Sequence, residues 1–413
     1  MGHVITNGAS DGVFERAARL CPGIGHGVDD GDPLVAPLVQ STTFGRASVG
    51  TNPPHQYSRV SNPTVSVLEE ALGGLEETPA AVCFGSGLAA ETALFLALLK
   101  AGDHVVCSRF TYGGTTRLLT DLLPGLGVRC TFVDATDLNE VEGAVCPQTK
   151  LVFIETPSNP TLELTDIAAC AEIAHRVGAL LAVDNTFLTA VLQRPLEHGA
   201  DISVYSTTKF IDGHSVATGG ALVAQDSALL TSFRFIRKCT GAIQTPLNAW
   251  LTVNGLKTLP LRIAAQSETA ETLAGWLSSH PGVSATYHPS LADRGGQAII
   301  TKQHPAGNGA VVSFELKGNL ATARWFAEAL QLCTLVEHVG SVETLVTHPA
   351  TMTHADVNAE ERQRVGIRDG LFRISVGLEP LAAIREDLER GFAAAQALGC
   401  EQQASGLEVL THA

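Results

Sequence analysis

Seven short runs of β-branched and other apolar residues alternate with helical segments between residues 61 and 257, and this alternation is the strongest constraint on the fold. The runs are AAVCF (80–84), HVVCS (104–108), VRCTFVD (128–134), KLVFIE (150–155), ALLAVD (179–184), DISVYS (201–206) and GALVA (220–224). Amphipathic segments such as 87–100 and 165–177 lie between them. Strand–helix–strand order at this spacing predicts an α/β fold with a mostly parallel seven-stranded sheet covered on both faces.

The remainder of the chain follows other patterns and predicts two further parts. Residues 1–60 are rich in Gly, Pro, Ser and Thr and predict an ordered arm before the α/β domain of residues 61–257. Residues 258–413 predict a smaller C-terminal α+β domain. Its predicted elements are helices at 260–279, near 321–330 and near 380–397, and strands at 311–316, 333–337 and 372–376. The glycine-containing stretch 289–309 predicts an exposed loop.

Charge and cysteine content exclude several classes of partner. A formal net charge of −15 argues against nucleic acid and anionic membranes, because both attract clustered Lys and Arg. Apolar stretches fall short of the ~20 residues of a membrane helix, and no basic segment before an apolar core marks a secretory signal. Nine cysteines, an odd number without a C-x-x-C pair, predict buried thiols in a reducing, cytoplasmic location, with neither a disulfide framework nor a bound metal.

Ligands of open α/β sheets gather outside the carboxyl ends of strands, so the residues that follow each run are candidate site residues. After the first run, Ser86, Gly87 and Leu88 open a helix, and small residues at a helix N-terminus suit a phosphate group. The same segment, GSGLAA, also fits the dinucleotide fingerprint G-x-G-x-x-A. A nicotinamide-dependent dehydrogenase needs an acid at the end of the next strand. Asp103 precedes that strand instead, which weakens this alternative.

Two further strand ends carry groups that can react. Asp184 ends the fifth run. A carboxylate at the end of an apolar strand has three alternative roles: it closes the core, binds a metal ion or pairs with a protonated pyridine nitrogen. Lys209 follows the sixth run within the segment STTKF. An isolated lysine at a strand end usually extends its amine to solvent. Here three strand ends carry a possible phosphate site, a carboxylate and a lysine. This combination favours a lysine whose amine forms an imine with a ligand.

Nine ordered motifs, spread over almost the whole chain, carry a resemblance to a known family. They are YSRVSNPT (57–64), FGSGLAAETA (84–93), YGGTTR (112–117), ETPSNPT (155–161), VDNTF (183–187), STTKFIDGH (206–214), GLKTLPLR (255–262), ETLVTHPATMTH (343–354) and FRISVGLE (372–379). Together they resemble the Cys/Met-metabolism (trans-sulfuration) family of pyridoxal-5′-phosphate (PLP) enzymes. That family has fold type I and includes cystathionine γ-synthases, cystathionine γ-lyases, methionine γ-lyases and O-acylhomoserine sulfhydrylases.

The resemblance implies a role for individual residues at the cofactor. The family's cofactor-linked catalytic lysine falls on Lys209, and the carboxylate that contacts the pyridine nitrogen falls on Asp184. Tyr112 matches the ring that stacks over the cofactor and takes part in acid–base catalysis. The positions that match phosphate contacts are Ser86, Gly87, Leu88, Ser206 and Thr208.

An assembly and a substrate site are implied as well. Tyr57 and Arg59 match residues that reach the phosphate from a neighbouring subunit, which implies a homotetramer built from dimers with shared active sites. Arg373 matches the clamp for the carboxylate of an amino-acid substrate, a role that favours a bidentate guanidinium. The other substrate-binding positions that match are Asn159, Ser341 and Glu337.

Within the family, we predict γ-replacement or γ-elimination on homoserine-derived or sulfur amino acids. Glu337 aligns with an acid typical of cystathionine γ-synthases and γ-lyases, which receives the amine of the cysteine moiety; a solvated strand-end glutamate is the alternative. Methionine γ-lyases tend to place a cysteine where this chain has Gly114. We therefore predict a cystathionine γ-synthase, which joins O-acylhomoserine and cysteine. The next alternatives are cystathionine γ-lyase, then O-acylhomoserine sulfhydrylase or methionine γ-lyase.

Overall fold

This computed structural model describes residues 12–27, 29–355, 362 and 366–410, with side chains up to residue 397. The first residues of the predicted arm, 1–11, lie outside the described part. Two compact units make up the chain. The first contains the chain up to Asn159, Glu163–Ala264 and Ala298–Gly307, and the second contains Pro160–Leu162, Ala265–Gln297 and the chain from Asn308 onward.

The first unit is built around a seven-stranded sheet in the order β1-β7-β6-β5-β4-β2-β3. Its strands are β1 (Val82–Phe84), β2 (His104–Ser108), β3 (Arg129–Val133), β4 (Thr149–Glu155), β5 (Leu180–Asp184), β6 (Ile202–Tyr205) and β7 (Gly220–Val223). Only β7 is antiparallel to its neighbours, so six strands run in one direction. The predicted α/β fold with a mostly parallel seven-stranded sheet is therefore confirmed, and each strand falls within about one residue or two of its apolar run.

Helices cover both faces of this sheet, which explains why all its strands except the edge strand β3 are apolar runs without polar alternation. Along β4, Phe153 packs into one apolar cluster and Val152 and Ile154 into the cluster on the opposite face. The helices of the chain are α1 (Val13–Leu20), α2 (Pro63–Leu75), α3 (Gly87–Leu98), α4 (Gly113–Arg117), α5 (Leu138–Ala144), α6 (Ile167–Arg176), α7 (Thr189–Leu192), α8 (Ser227–Thr240), α9 (Pro246–Leu256), α10 (Leu259–Ser279), α11 (Arg294–Gln303), α12 (Leu320–Glu328) and α13 (Leu381–Leu410).

The second unit contains a five-stranded sheet in the order β10-β11-β12-β9-β8. Its strands are β8 (Val283–Tyr287), β9 (Val311–Leu316), β10 (Thr334–Leu335), β11 (Leu345–Thr347) and β12 (Leu371–Ser375). Four buried aromatic rings pack on this sheet: Phe314, Phe326, Phe372 and Phe392. The predicted smaller α+β domain is confirmed as a separate sheet with its own core, although the sequence patterns did not identify β8 and β11.

The prediction of a loop at 289–309 is wrong, because α11 lies within it. Asp293 accepts a hydrogen bond from the Gly296 amide at 2.9 Å and so caps the first turn of this helix. At the other end, the buried Gln303 side chain accepts from the Ile167 amide at 2.8 Å and donates to the Thr165 carbonyl at 3.1 Å. Gly295 and Gly296 lie in the first turn of the helix, where they are tolerated, and Gly307 and Gly309 follow its last residue. Within the described residues, none of the helices combines the length and apolar character needed to cross a membrane.

Candidate active site

The carboxyl ends of the parallel strands meet at one edge of the large sheet. Phe84, the last residue of β1, pairs with Gly220 at the start of β7, and Tyr205, the last residue of β6, pairs with Ala221. The segments after β1 and β6 therefore leave the sheet at the same edge, on either side of β7. Segments after β4 and β5 leave from the same edge, because these strands are parallel to β6. This edge is where the sequence placed its candidate residues.

Ser86 and Gly87 form a narrow cradle at the N-terminus of α3. The Ser86 hydroxyl accepts a hydrogen bond from the Ala89 amide at 3.1 Å, which makes it the N-cap of this 12-residue helix. A Cβ atom at Gly87 would lie 2.9 Å from Cβ of Ser206, and one at Gly220 would lie 2.3 Å from the Ser86 carbonyl oxygen. Only glycine fits at these two positions. Exposed amides at the N-terminus of a helix suit a phosphate group.

Hydrogen bonds fix the backbone of the turn that carries Lys209. The Ser206 amide donates to the Thr186 hydroxyl at 2.8 Å, and the Lys209 amide donates to the Ser206 carbonyl at 3.2 Å. Thr208 donates from its hydroxyl to the Gly219 carbonyl at 3.1 Å and accepts from the Gly219 amide at 2.9 Å. Lys209 is partly buried at the same sheet edge as Ser86. The structure thus brings the lysine turn to the phosphate cradle.

Asp184 presents a buried carboxyl group at the end of β5. It is 8% exposed, and its side chain accepts a hydrogen bond from the Thr186 amide at 2.9 Å. Burial raises the pKa of Asp184 above its ordinary value, and the hydrogen bonds from Thr186 partly oppose that rise. A cationic ring nitrogen placed against this carboxyl would favour its ionised form.

Two more buried carboxyl groups, Glu155 and Glu91, lie near Asp184, and sequence reasoning identified neither. Glu155 is the last residue of β4, pairs in register with Asp184 and accepts from the Tyr112 amide at 2.8 Å. Glu91, on α3, accepts from the Thr115 hydroxyl at 2.7 Å. Burial, reinforced by the charge of Asp184, raises the pKa of Glu91 to about 8 and that of Glu155 well above its ordinary value. Each carried a signal: Glu155 ends an apolar run, and Glu91 interrupts an apolar helix.

Tyr112 immediately precedes α4 and remains 44% exposed. Its ring lies over Gly114, because a Cβ atom at Gly114 would be 2.5 Å from Cε1 of Tyr112 and 2.9 Å from the Leu88 methyl groups. The helix that carries the cradle and the segment that carries Tyr112 therefore approach each other closely at Gly114. An exposed aromatic ring at this position is available to stack on a planar ligand.

Tyr57 and Arg59 lie together on the surface of the first unit. The Arg59 guanidinium is 5.3 Å from the centre of the Tyr57 ring, and it donates to the carbonyl of Lys238, near the end of α8, at 2.7 Å. Both side chains are exposed. Their contacts here are within their own chain, so a role at the site of a neighbouring subunit stays a prediction.

The predicted substrate-binding residues are divided between the two units. Asn159, in the first unit, is buried, and its backbone amide donates to Glu155. Arg373, in β12 of the second unit, is 3% exposed, and its guanidinium donates to the His338 carbonyl and the Thr347 hydroxyl, each at 3.0 Å.

Ser341 and Glu337 belong to the second unit as well. Ser341 is fully buried and hydrogen bonds to Glu343, and its carbonyl accepts from Gln266 at 2.7 Å. Glu337 is exposed. Over the described residues, no group of three or more His, Cys, Asp or Glu side chains is arranged to hold a metal ion.

The dehydrogenase alternative does not fit this geometry. Asp103 precedes β2 and accepts from the Lys100 amide at 2.9 Å, at the opposite end of the strand from the cradle. β1 is moreover an edge strand, whereas the dinucleotide fold places its first strand at the centre of the sheet. An acid at Asp103 cannot reach a ligand whose phosphate lies at Ser86.

The fold and the strand-end groups define the class of the protein as a PLP-dependent enzyme of fold type I. The family model described as Cys/Met metabolism PLP-dependent enzyme matches residues 25–393. The chain belongs to this family, and its cofactor is PLP. The predicted family resemblance and cofactor are therefore confirmed.

Named relatives span several activities. The cystathionine gamma-lyase of Bacillus subtilis (strain 168) is 41% identical over 367 residues, which cover 88% of this chain and 96% of that protein. The O-succinylhomoserine sulfhydrylase of Pseudomonas aeruginosa is 41% identical over 345 residues, covering 84% and 85%. Cystathionine gamma synthase from Xanthomonas oryzae pv. oryzae, solved with aminoacrylate and cysteine, superposes with a TM-score of 0.89 at 39% identity, covering 92% and 98%. Trans-sulfuration chemistry on amino-acid substrates follows, but not one particular reaction.

The residues at the sheet edge fit PLP. Gly87 and Gly220 leave room that a Cβ atom would fill, beside the N-terminus of α3, where a phosphate group can bind. Asp184 is a buried carboxyl group and Lys209 a partly buried amine, the two groups that the sequence predicts for the pyridine nitrogen and the aldehyde of PLP. The cofactor-binding residues predicted from the sequence are Lys209, Asp184, Tyr112, Ser86, Gly87, Leu88, Ser206 and Thr208, with Tyr57 and Arg59 from a neighbouring subunit.

Proposed function

We propose that this enzyme is a cystathionine γ-synthase, which replaces the γ-acyloxy group of an O-acylhomoserine with the thiol of cysteine. Two observations support the proposal. Lys209, Asp184 and the Ser86 cradle lie together at the carboxyl-terminal edge of the large sheet, and Glu337 is an exposed acid. The residues at the sheet edge support PLP chemistry on an amino-acid substrate. Glu337 supports a substrate that carries a second, distal amine.

The proposed roles follow from the chemistry of each side chain. PLP, when bound, would supply the electron sink that acidifies the Cα proton of the amino-acid substrate. Lys209 takes the Cα proton of the substrate, and Asp184 holds the pyridine nitrogen in its protonated form. Tyr112 serves as a second acid–base group, since its exposed phenol lies beside the cradle.

Arg373 and Glu337 are proposed to bind the two ends of the amino-acid substrates. Arg373 is buried, and a planar guanidinium in a buried setting suits a bidentate contact with a carboxylate. Ser341 and Asn159 are proposed to assist at the substrate and cofactor. Glu337 is proposed to receive the amine of cysteine, so its charge matters for cysteine and cystathionine but not for sulfide.

Gly114 favours this reaction over methionine γ-lyase activity. Methionine γ-lyases tend to carry a cysteine at this position. Here a Cβ atom would lie 2.5 Å from the Tyr112 ring, so such a residue requires the ring to move. Cystathionine γ-lyase remains the second candidate, because Glu337 serves cystathionine equally well.

An assembly and a location complete the proposal. We propose a homotetramer of dimers in which Tyr57 and Arg59 of one subunit reach the phosphate at the site of another. The exposure of both side chains and their position on the surface of the first unit support that role. The predicted domain boundaries after residues 60 and 257 and the cytoplasmic location stay predictions.

A substrate panel with two variants tests the activity. Purified PLP-loaded enzyme receives O-succinylhomoserine or O-acetylhomoserine with cysteine or sulfide, then cystathionine alone, then methionine alone, and products are identified by mass. We expect cystathionine from cysteine as the fastest product. Glu337→Ala should raise KM for cysteine about tenfold and leave KM for sulfide unchanged, as expected for one lost charge-assisted contact. If methionine were the only one of these substrates to be turned over, the proposed reaction would be refuted.

A control variant separates this effect from a general loss of stability. Glu172 is exposed on α6, in the first unit, and Glu172→Ala should leave both KM values unchanged. If Glu337→Ala lowers the rates with cysteine and sulfide equally, Glu337 does not bind the amine.

A further inference from the structure

Glu91 is an acid inside an apolar helix next to the cofactor cradle. It lies on α3, whose sequence is GLAAETALFLAL, and is 3% exposed. Its neighbours Ala90 and Leu94 are fully buried. A glutamate at such a position is costly unless it is hydrogen bonded or uncharged. The chemistry proposed above assigns it no role.

Other acidic groups act on Glu91 and raise the cost of its ionised form. The ionisable groups that interact with it electrostatically include Asp184 on β5, Glu155 on β4 and the Cys107 thiol on β2, and Lys209 lies at the same sheet edge. Its hydrogen-bond donor is neutral: the Thr115 hydroxyl, 2.7 Å from Oε2. Three buried carboxyl groups this close cannot all ionise, because each negative charge raises the cost of the next.

Bound PLP would favour the negative charge on one of the three. Asp184 is the carboxyl proposed to meet the cationic pyridine nitrogen, so its ionised form gains a partner. Burial and the charge of Asp184 raise the pKa of Glu91 to about 8, so Glu91 keeps its proton at neutral pH. A protonated carboxyl group still accepts the hydrogen bond from Thr115.

Thr115 connects Glu91 to the segment that carries Tyr112. Thr115 is fully buried on α4, and its amide donates to the Tyr112 carbonyl at 2.9 Å. Glu155 accepts from the Tyr112 amide at 2.8 Å on the other side of the same residue. The backbone of Tyr112 is thus held between two buried acids, one directly and one through Thr115.

We propose that Glu91 is a positioning residue: as an uncharged acid it secures, through Thr115, the segment that places Tyr112 over the cofactor, and it leaves Asp184 as the ionised carboxyl of the site. The inference rests on the proposed roles of Tyr112 and Asp184. It assigns to Glu91 a requirement for a hydrogen-bond acceptor without a requirement for charge.

Three variants separate these requirements. Glu91→Gln keeps the acceptor and removes the ability to ionise, Glu91→Ala removes both, and Thr115→Val removes the donor. The readouts are PLP retention during dialysis and the visible circular dichroism of the bound cofactor from pH 6 to 9. Melting of the apo-protein identifies variants that fail to fold. Glu172→Gln, exposed on α6, is the matched control.

We expect Glu91→Gln to retain PLP within about twofold of the unaltered protein, because an amide oxygen replaces the carboxyl acceptor. It should also lose a change in the dichroism near pH 8 that the unaltered protein shows. Glu91→Ala and Thr115→Val should each weaken retention about tenfold, as expected for a buried polar group left without its partner. If Glu91→Ala fails to fold, Thr115→Val carries this comparison alone.

Two results overturn the inference. One is equal loss of PLP retention in Glu91→Gln and Glu91→Ala, which would mean that the charge is required. The other is retention and dichroism unchanged in both Glu91→Ala and Thr115→Val. An unaltered protein that takes up no PLP would instead remove the proposed function itself, and it is distinguishable because all variants would then fail alike.

Discussion

Glu155 and Asp184 lie opposite each other as the last residues of adjacent parallel strands, and both carboxyl groups are buried. They nevertheless have different partners. Glu155 accepts from the backbone of Tyr112 and Asn159, whereas Asp184 accepts from Thr186 at the edge where the cofactor is proposed to bind. Two neighbouring acids of similar burial can therefore have opposite charge requirements.

This difference predicts unequal effects of two matched substitutions. Asp184→Asn should lower kcat about 100-fold or more, because a neutral amide cannot hold the pyridine nitrogen protonated. Glu155→Gln should lower kcat less than about tenfold, because it keeps an acceptor for the Tyr112 amide. Steady-state rates on PLP-saturated enzyme make the comparison. Equal losses would contradict the assignment of the ionised group to Asp184.

Gly114 predicts a steric effect on Tyr112. In Gly114→Ala the new methyl group would lie 2.5 Å from the Tyr112 ring and 2.9 Å from Leu88, so the ring must shift. We expect kcat to fall about tenfold or more, with the melting temperature changed by only a few degrees, as for a local packing conflict. Gly143→Ala on α5 is the control, since its added Cβ meets no atom within 4 Å. A fully active Gly114→Ala enzyme would show that the ring position is not needed.

Shared active sites predict complementation between two inactive variants. Arg59→Ala lacks the proposed phosphate contact, and Lys209→Ala lacks the catalytic amine. If Arg59 serves the neighbouring subunit, a mixed dimer contains one intact site. Refolding an equal mixture should then restore about a quarter of the unaltered activity, since half of the dimers are mixed and each has one working site of two. Activity that stays at the level of the separate variants would place Arg59 at the site of its own chain.

The cluster of buried carboxyl groups predicts that the apo-protein loses stability as pH rises. The folded pKa of Glu91, about 8, lies above its unfolded value of 4.5, and the pKa values of Glu155 and Asp184 are also raised. Folding then favours the protonated forms. The contribution of Glu91 is complete below its unfolded pKa of 4.5 and is lost as pH rises through about 8, by an amount on the order of a few kcal/mol. Glu155 and Asp184 change stability in the same direction.

Chemical denaturation of the apo-protein between pH 5 and 9 measures this loss. Glu91→Gln should flatten the profile, because an amide does not ionise, and PLP should flatten it by giving Asp184 a cationic partner. The exposed-site variant Glu172→Gln should follow the unaltered profile. A stability that rises steadily over this pH range would contradict the predicted protonation of the cluster.

Much of the large sheet could be predicted because its signals are local. Most of its strands are apolar on both faces, so runs such as KLVFIE mark a strand without knowledge of its neighbours; the edge strand β3, with Arg129 and Thr131 exposed, is the exception. Short elements gave weaker signals. β11 has three residues and β10 has two, and their pairing depends on β12, which is distant in the sequence. Gly295 and Gly296 favour a loop in the sequence, but they lie in the first turn of helix α11, which Asp293 caps.

The sequence by itself determined the order of strands and helices, the cofactor family and the candidates Lys209, Asp184 and Ser86, because these follow from local apolar pattern and from short motifs. Only the tertiary structure decided that Glu91 meets Thr115, 24 residues away, and that Glu155 lies beside Asp184. Those contacts arise where separate strands and helices converge at one edge of the sheet. Burial there changes the charge state of a carboxyl group, and burial is a property of the packed chain that no local segment specifies.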